Sequence, residues 1–104
     1  MIVIPAINCS DFSCVKDKLE IINGIGAQWA HLDISDGKFS KVLTWNKPEE
    51  LESLVISYGS SVNFEVHLMV QNPEKIYEDW LEAGAKRLII HLEEIRKNKD
   101  QKEI

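Results

Sequence analysis

The stretch AQWAHLDISDGKF, residues 27–39, decides the fold class, because a strand-like apolar run leads directly into a cluster of polar side chains. Strand residues two apart share a face, so His31 and Asp33 point the same way. The run stops at Asp36-Gly37, a pair that is typical of a turn. The stretch therefore predicts an interior strand that ends with an imidazole and a carboxylate on one face.

The rest of the chain repeats this unit of a strand followed by a helix. Strand-like runs lie near residues 3, 31, 66 and 90, and the segment 94–104 that follows the last run predicts a charged helix or a frayed tail. Such alternation predicts parallel strands joined by helical crossovers. We therefore expect one α/β domain, residues 1–104, with about four strands and four helices. The predicted apolar helix positions are Phe12, Val15, Leu19 and Ile22; Leu51, Leu54 and Val55; and Ile76, Tyr77, Trp80 and Leu81.

Local signals mark where these helices begin. Ser10 or Asp11 can cap the first helix, and Pro48 suits the first turn of the second. Asn72 and Pro73 open the third.

Composition and charge exclude several classes of protein. The 104 residues, 44% of them apolar, suffice for one small core. A net charge of −5 argues against a nucleic-acid or anionic-membrane surface, and no apolar run reaches the roughly 20 residues of a spanning helix. The N-terminus lacks the pattern of a signal peptide. Cys9 and Cys14 form no Cys-x-x-Cys motif, so we expect reduced thiols and a cytoplasmic protein.

The three histidines point to a metal site. His31, His67 and His91 each lie near the C-terminal end of a predicted strand, where parallel α/β folds build their ligand sites. Two imidazoles and a carboxylate suit a divalent metal ion such as zinc, iron, manganese or cobalt. Asp33 is also a candidate general base.

Simpler interpretations of several residues stay open at this point. His91 can be a hydrogen-bonded structural residue, and Met69 can belong to the core. Asp36 and Gly37 can form only a turn, in which the aspartate caps backbone N–H groups. We keep Asp36, Gly37 and His91 as supporting candidates for the site.

The motifs IPAINCSDF, GAQWAHLDISDGKF, FEVHLMVQNPEKIYEDWLEAGA and IIHLE resemble the first half of the ribulose-phosphate 3-epimerase family, in the same order and at similar spacing. The resemblance extends to about Glu93. It implies the N-terminal half of a TIM (β/α)8 barrel. It also implies a role in carbohydrate metabolism, the pentose phosphate pathway: interconversion of ribulose 5-phosphate and xylulose 5-phosphate by proton transfer at C3, through a metal-stabilised enediolate.

The resemblance also implies a role for particular residues. His31, Asp33 and His67 would be metal ligands, and Asp33 would double as one of two acid/base residues. His67 would also touch the phosphorylated pentulose substrate, and Met69 would help to line the site.

The chain departs from the family pattern at four places. Pro5-Ala6 replaces a Pro-Ser pair whose serine contacts substrate, and Ser35 replaces a methionine. Lys38 replaces a histidine, and residues 40–42 replace a Val-Pro-Asn loop. These changes are compatible with a subfamily that acts on another phosphosugar.

At 104 residues the chain is shorter than a complete barrel, which needs about 200 residues or more. In the family, the second acid/base aspartate, which is also the fourth metal ligand, and the phosphate loops belong to later strands. We therefore expect a half-barrel that pairs with another copy, as a homo-oligomer, or with a missing C-terminal half.

Two alternatives differ in function from an epimerase. One is another phosphosugar-binding TIM-barrel enzyme, a decarboxylase or synthase with an Asp-x-Lys-x-x-Asp motif; here Ser35 stands where that motif has lysine. The other is a non-catalytic half-barrel remnant or assembly module.

Overall fold

Four parallel strands alternate with helices in this protein. The structure is a computed structural model that describes residues 4–38 and 40–91. In the sheet the strands follow the order β1-β2-β3-β4, so each crossover leads to the adjacent strand. This is the expected α/β fold of the N-terminal half of a TIM barrel; segment 94–104 lies outside the described residues. The elements are β1 (Ala6–Ile7), α1 (Phe12–Gly24), β2 (Trp29–Ser35), α2 (Pro48–Tyr58), β3 (Asn63–Met69), a 3-10 turn (Pro73–Lys75), α3 (Tyr77–Ala83) and β4 (Arg87–Ile90).

The buried core lies between one face of the sheet and the helices. Alternate residues of the two central strands are almost fully buried there, because a strand places every second side chain on the same face. The opposite face carries the polar side chains. The core residues of these strands are Ala30, Leu32 and Ile34 on β2 and Phe64, Val66 and Leu68 on β3, and they are joined by Val15, Leu19, Ile22, Leu51, Leu54 and Trp80 from the helices.

The strand register brings the predicted site residues side by side. Asp33 of β2 is paired with His67 of β3, and His31 is paired with Glu65. The pairing gathers the polar groups on one face of the sheet, with Asp33 and His67 in the C-terminal halves of their strands and His31 and Glu65 in mid-strand.

The predicted helix starts agree with the structure at two places. The Asp11 carboxylate accepts a hydrogen bond from the backbone N–H of Cys14 at 2.9 Å and caps α1. Pro48 is the first residue of α2, a position at which the backbone N–H of any residue makes no hydrogen bond within the helix, so proline loses nothing there.

The third helix differs from its prediction. Asn72 adopts a left-handed conformation with φ of 55°, and a 3-10 turn precedes α3. The α-helix therefore begins only at Tyr77 and buries Trp80 and Ala83. The expected inward position Leu81 is 46% exposed instead.

The first strand is shorter than the apolar run suggested. Within the described residues β1 comprises only Ala6 and Ile7. Pro5 has no N–H to donate to a ladder, although its carbonyl accepts a hydrogen bond from the His31 N–H at 2.9 Å.

The expectation of reduced cysteines was wrong. Cys9 follows β1 and Cys14 lies in the first turn of α1, so the turn between them brings the two residues to a Cα–Cα distance of 5.8 Å, and they form a disulfide. Sequence spacing alone does not reveal this proximity, because it depends on how the chain enters the helix.

None of the helices in the described part of the chain has the length and apolar character that crossing a bilayer requires.

Candidate metal centre

Two adjacent strands supply the central side chains of the candidate site. His31 and Asp33 lie on β2 and His67 on β3, all on the sheet face opposite the apolar core. Their neighbours Leu32 and Leu68 are fully buried on the other face. The alternation of the two strands therefore turns the polar side chains away from the helices.

The three side chains converge on one oxygen atom. The Asp33 Oδ1 atom lies 2.8 Å from His31 Nε2 and 3.2 Å from His67 Nδ1. One ligand atom from each residue lies within 4.8 Å of the others. All three side chains are only about one-fifth exposed, so the cluster is largely shielded from solvent.

The cluster has the chemistry of a divalent metal site. Zinc binds imidazole nitrogen and carboxylate oxygen at about 2.0–2.2 Å, and such ligand atoms lie roughly 3–3.5 Å from one another. The spacing of 3.2 Å from His67 to Asp33 already lies in that range, and the spacing of 2.8 Å from His31 to Asp33 needs only a small opening. His31 Nε2, Asp33 and His67 Nδ1 would hold the metal ion, and the donor set fits it.

Sequence reasoning missed two charged residues behind this cluster. Glu65 accepts a hydrogen bond from His31 Nδ1 at 2.6 Å and another from Arg87 Nη1 at 2.7 Å. Glu65 shares the face of His67, and its carboxylate is buried in mid-strand. The sequence signal that could have found it is an acidic residue two positions before His67, on the same face of the strand.

These contacts change the protonation of His31 and Glu65. Burial alone would lower the pKa of His31, but the hydrogen bonds and charges of Glu65 and Asp33 outweigh it and raise the pKa above 6.5. The hydrogen bond from His31 lowers the pKa of Glu65 below 4.5; burial opposes this shift, and Arg87 reinforces it. In the metal-free chain, each of the two groups therefore favours the charged form of the other.

His91 lies against the cluster as well. Its Nε2 atom is 3.0 Å from His67 Nε2, and the two rings are stacked with centroids 5.1 Å apart. Met69 lies two residues beyond His67 on the same face, half-buried and paired in register with Ser35. The structure thus brings His91 to the candidate ligands and places Met69 at the end of β3.

Asp36 and Gly37 form a turn next to the site. Asp36 Oδ1 accepts a hydrogen bond from the Lys38 N–H at 2.8 Å, and Gly37 has φ of 76°. The second oxygen of Asp36 accepts a hydrogen bond from the Gln71 N–H at 3.1 Å. Asp36 therefore ties the loop after β2 to the end of β3, as a turn residue would.

Ser35 is buried under the loop that follows β2. Its hydroxyl donates to the Val42 carbonyl at 2.5 Å and lies 3.0 Å from Ser40 Oγ. Its backbone N–H donates to Thr44 Oγ1 at 2.8 Å. The serine that replaces the family methionine thus anchors the loop by hydrogen bonds.

Parallel βα units that carry a two-histidine, one-carboxylate cluster at the strand ends define a TIM-barrel half with a candidate metal centre. Residues 2–103 match the sequence profile of the ribulose-phosphate 3 epimerase family. The chain belongs to this family, whose members are epimerases, a class of isomerases, and the resemblance drawn from the motifs is confirmed.

Individual relatives agree with the family match. The chain is 37% identical over 89 residues to "Ribulose-phosphate 3-epimerase" of Treponema pallidum (strain Nichols). The aligned region covers 86% of this chain and 39% of the relative. It is 33% identical over 93 residues to the protein of the same name from Synechocystis sp., and the alignment covers 89% of this chain and 39% of that relative. It is 30% identical over 106 residues to the Candida glabrata protein of that name, and the alignment covers 88% of this chain and 43% of that relative. The chain thus spans about two fifths of the length of these relatives.

Proposed function

We propose that this chain supplies the metal-binding half of an epimerase that inverts C3 of a pentulose 5-phosphate, ribulose 5-phosphate to xylulose 5-phosphate. The observation that carries the proposal is the convergence of His31 Nε2 and His67 Nδ1 on Asp33 Oδ1. Family membership supports the reaction class.

Asp33 is the residue proposed to move the proton. Its carboxylate is about one-fifth exposed, and it is proposed to reach the C3 hydrogen of a sugar bound over the polar face of the sheet. A bound divalent ion, zinc, iron, manganese or cobalt, would supply positive charge that stabilises negative charge on a carbonyl oxygen. The acid that reprotonates C3 on the opposite face comes from outside the four strands described.

His67 and Met69 are proposed to position the substrate. Both lie on the polar face of β3 near its C-terminal end, and both are half-buried. His91 is proposed to support the site through His67, because their Nε2 atoms lie 3.0 Å apart.

A second polypeptide segment is proposed to cover the polar face of the sheet. Among the described strands, β1 and β4 are edges, and each has one neighbour only. Ile89, on the site face of β4, is 38% exposed. Further barrel strands, from a second copy of the chain or from a C-terminal half, would pair with these edges, and light scattering distinguishes a dimer from a monomer.

The proposed location is the cytoplasm. Membership in a family of epimerases named for a sugar phosphate supports it. The Cys9–Cys14 disulfide points the other way, since disulfides persist mainly in oxidising compartments. Thiol labelling of the protein in freshly lysed cells tests the location of the chain through the redox state of this pair.

Metal binding tests the first part of the proposal. Titration of the chelator-treated chain with Zn(II) or Co(II) is expected to show one ion per chain and a rise in melting temperature. At a metal concentration 100 times Kd, the stabilisation amounts to about 2.7 kcal/mol. Asp33→Asn and His67→Ala should lose this response, whereas Asp17→Asn, an exposed carboxylate on α1, should keep it. Equal binding by Asp33→Asn and the wild type would refute the site.

Proton exchange tests the second part. Ribulose 5-phosphate is incubated in deuterated water with the chain and each metal, alone and with a C-terminal half taken from a relative. Incorporation of deuterium at C3, followed by NMR, should disappear in Asp33→Asn. Exchange that continues at the wild-type rate in this variant would rule out Asp33 as the proton carrier.

A further inference from the structure

A buried carboxylate that is ion-paired with Arg87 lies directly behind the candidate metal ligand His31. Glu65 Oε1 is 2.6 Å from His31 Nδ1, and Glu65 Oε2 is 2.7 Å from Arg87 Nη1. The Glu65 side chain is only 8% exposed, whereas Arg87 is 53% exposed. Burial of a carboxylate is costly unless its oxygens are hydrogen-bonded, and here each oxygen has a charged or chargeable partner.

The two nitrogens of the His31 ring face different groups. Nδ1 faces Glu65, and Nε2 faces Asp33 on the side where His67 also converges. Both carboxylates only accept, so each favours an N–H in the metal-free ring. When a metal ion takes the place beside Nε2, Glu65 keeps the hydrogen on Nδ1 and leaves the lone pair on Nε2. That lone pair is what a metal ion requires.

Glu65 is itself held in place from the neighbouring strand. Arg87 is paired with Glu65 in the β3–β4 register, and its guanidinium lies over the Trp29 ring, 4.5 Å from the ring centroid. Stacking on an aromatic ring limits how far the arginine side chain can move. A chain of contacts therefore runs from Trp29 through Arg87 and Glu65 to His31.

We propose that Glu65 is a positioning residue, which holds the His31 ring in the orientation and tautomer that present Nε2 to a divalent metal ion, while Arg87 holds Glu65. This inference rests on the proposed function, because it takes His31 as a metal ligand. Removal of a carboxylate that accepts the N–H of a ligating histidine commonly weakens metal affinity by about 10–100-fold.

Cobalt binding by the complete chain tests the proposal. The wild type, Glu65→Gln and the control Glu50→Gln are titrated with Co(II), and the affinity and the cobalt absorption spectrum are recorded beside the circular dichroism. Glu50 is a matched control, since its carboxylate also accepts a side-chain hydrogen bond, from Trp45 Nε1 at 2.8 Å, away from His31. Glu65→Gln should bind cobalt about 10–100-fold more weakly with an altered spectrum, and Glu50→Gln should match the wild type.

Imidazole nitrogen NMR of the zinc-loaded chain reads the tautomer directly. In the wild type, His31 should carry its hydrogen on Nδ1 alone. In Glu65→Gln, part of the His31 population should carry its hydrogen on Nε2 and no longer ligate zinc, because an amide can also donate a hydrogen bond to Nδ1. A residue with a merely structural role would leave this signature unchanged.

The possible outcomes separate this inference from the proposed function. Cobalt binding by Glu65→Gln with wild-type affinity and spectrum would overturn the positioning role and leave the metal centre intact. A wild type that binds no cobalt would overturn the metal centre, and this inference with it. Should Glu65→Gln fail to fold, Arg87→Met decides: severalfold weaker binding supports the proposal, and unchanged binding overturns it.

Discussion

The Nε2 atom of His67 lies 3.0 Å from the Nε2 atom of His91, so the two imidazoles share one hydrogen. His67 Nδ1 faces Asp33, which is the side on which a metal ion would bind. When Nδ1 offers its lone pair, Nε2 must carry the hydrogen and donate it to His91. With a metal ion at His67 Nδ1, His91 would thus accept a hydrogen bond from His67.

Removal of this acceptor is expected to weaken metal binding. His91→Phe leaves the His67 N–H without its partner, so the affinity for Zn(II) should fall by about 10-fold or more. His91→Gln retains an amide oxygen and should lose less. Competition with a chromogenic chelator measures both variants, and equal affinities for His91→Phe and the wild type would leave His91 a purely structural residue.

The stability of the metal-free chain should depend on pH through His31 and Glu65. The raised pKa of His31 means that its stabilisation is complete below pH 6.5 and is lost as the pH rises through the pKa of the folded state. The lowered pKa of Glu65 means that its stabilisation is present above pH 4.5 and is lost as the pH falls through its folded value. The pair therefore contributes most between pH 4.5 and 6.5.

Thermal melting in chelator from about pH 3 to about pH 9 measures this contribution. The difference in melting temperature between the wild type and Glu65→Gln should be greatest inside that window and smaller on both sides. A constant difference in melting temperature across the pH range would contradict the prediction, because it would show that the contribution of the pair to stability does not depend on pH.

The hydroxyl of Thr44 should stabilise the loop after β2. This buried residue accepts a hydrogen bond from the Ser35 N–H at 2.8 Å and donates to the Trp45 carbonyl at 3.0 Å. Thr44→Val leaves a buried donor unpaired, so the free energy of unfolding in urea should fall by about 1–3 kcal/mol. Thr44→Ser keeps the hydroxyl and serves as the control, so it should lose less; an unchanged free energy of unfolding in Thr44→Val would contradict the prediction.

Gly84 should not tolerate a side chain. It ends α3 with φ of 116°, and an added Cβ would lie 2.7 Å from Val55 Cγ2. Gly84→Ala is therefore expected to cost about 1–3 kcal/mol. Gly24→Ala is the matched control, because nothing lies within 4 Å of that Cβ, and it should be neutral or slightly stabilising. Chemical denaturation compares the two, and similar stabilities would contradict the strain.

The fold and the central cluster followed from the sequence because they depend on local periodicity. Alternating strand and helix patterns require parallel strands, and parallel strands place the ends of β2 and β3 together. His31, Asp33 and His67 could therefore be expected at one edge, and the register then paired Asp33 with His67.

Features that depend on strand register or on turn geometry were not predicted from the sequence. The ion pair of Glu65 with Arg87 requires β3 and β4 to align at those residues. The disulfide of Cys9 with Cys14 requires a particular turn into α1. The late start of α3 follows from the left-handed backbone of Asn72. In each case a tertiary or single-residue conformation decided the outcome, and periodicity does not encode it.

The direct pairing of Asp33 with His67 also has a consequence for folding. If β3 slipped by one residue along β2, Val66 or Leu68 would lie opposite Asp33, and His67 would turn toward the helices. Only one alignment of the two strands therefore completes the proposed set of metal ligands. A divalent ion present while the chain folds would lower the free energy of that alignment alone, and it would select the native sheet from competing compact states.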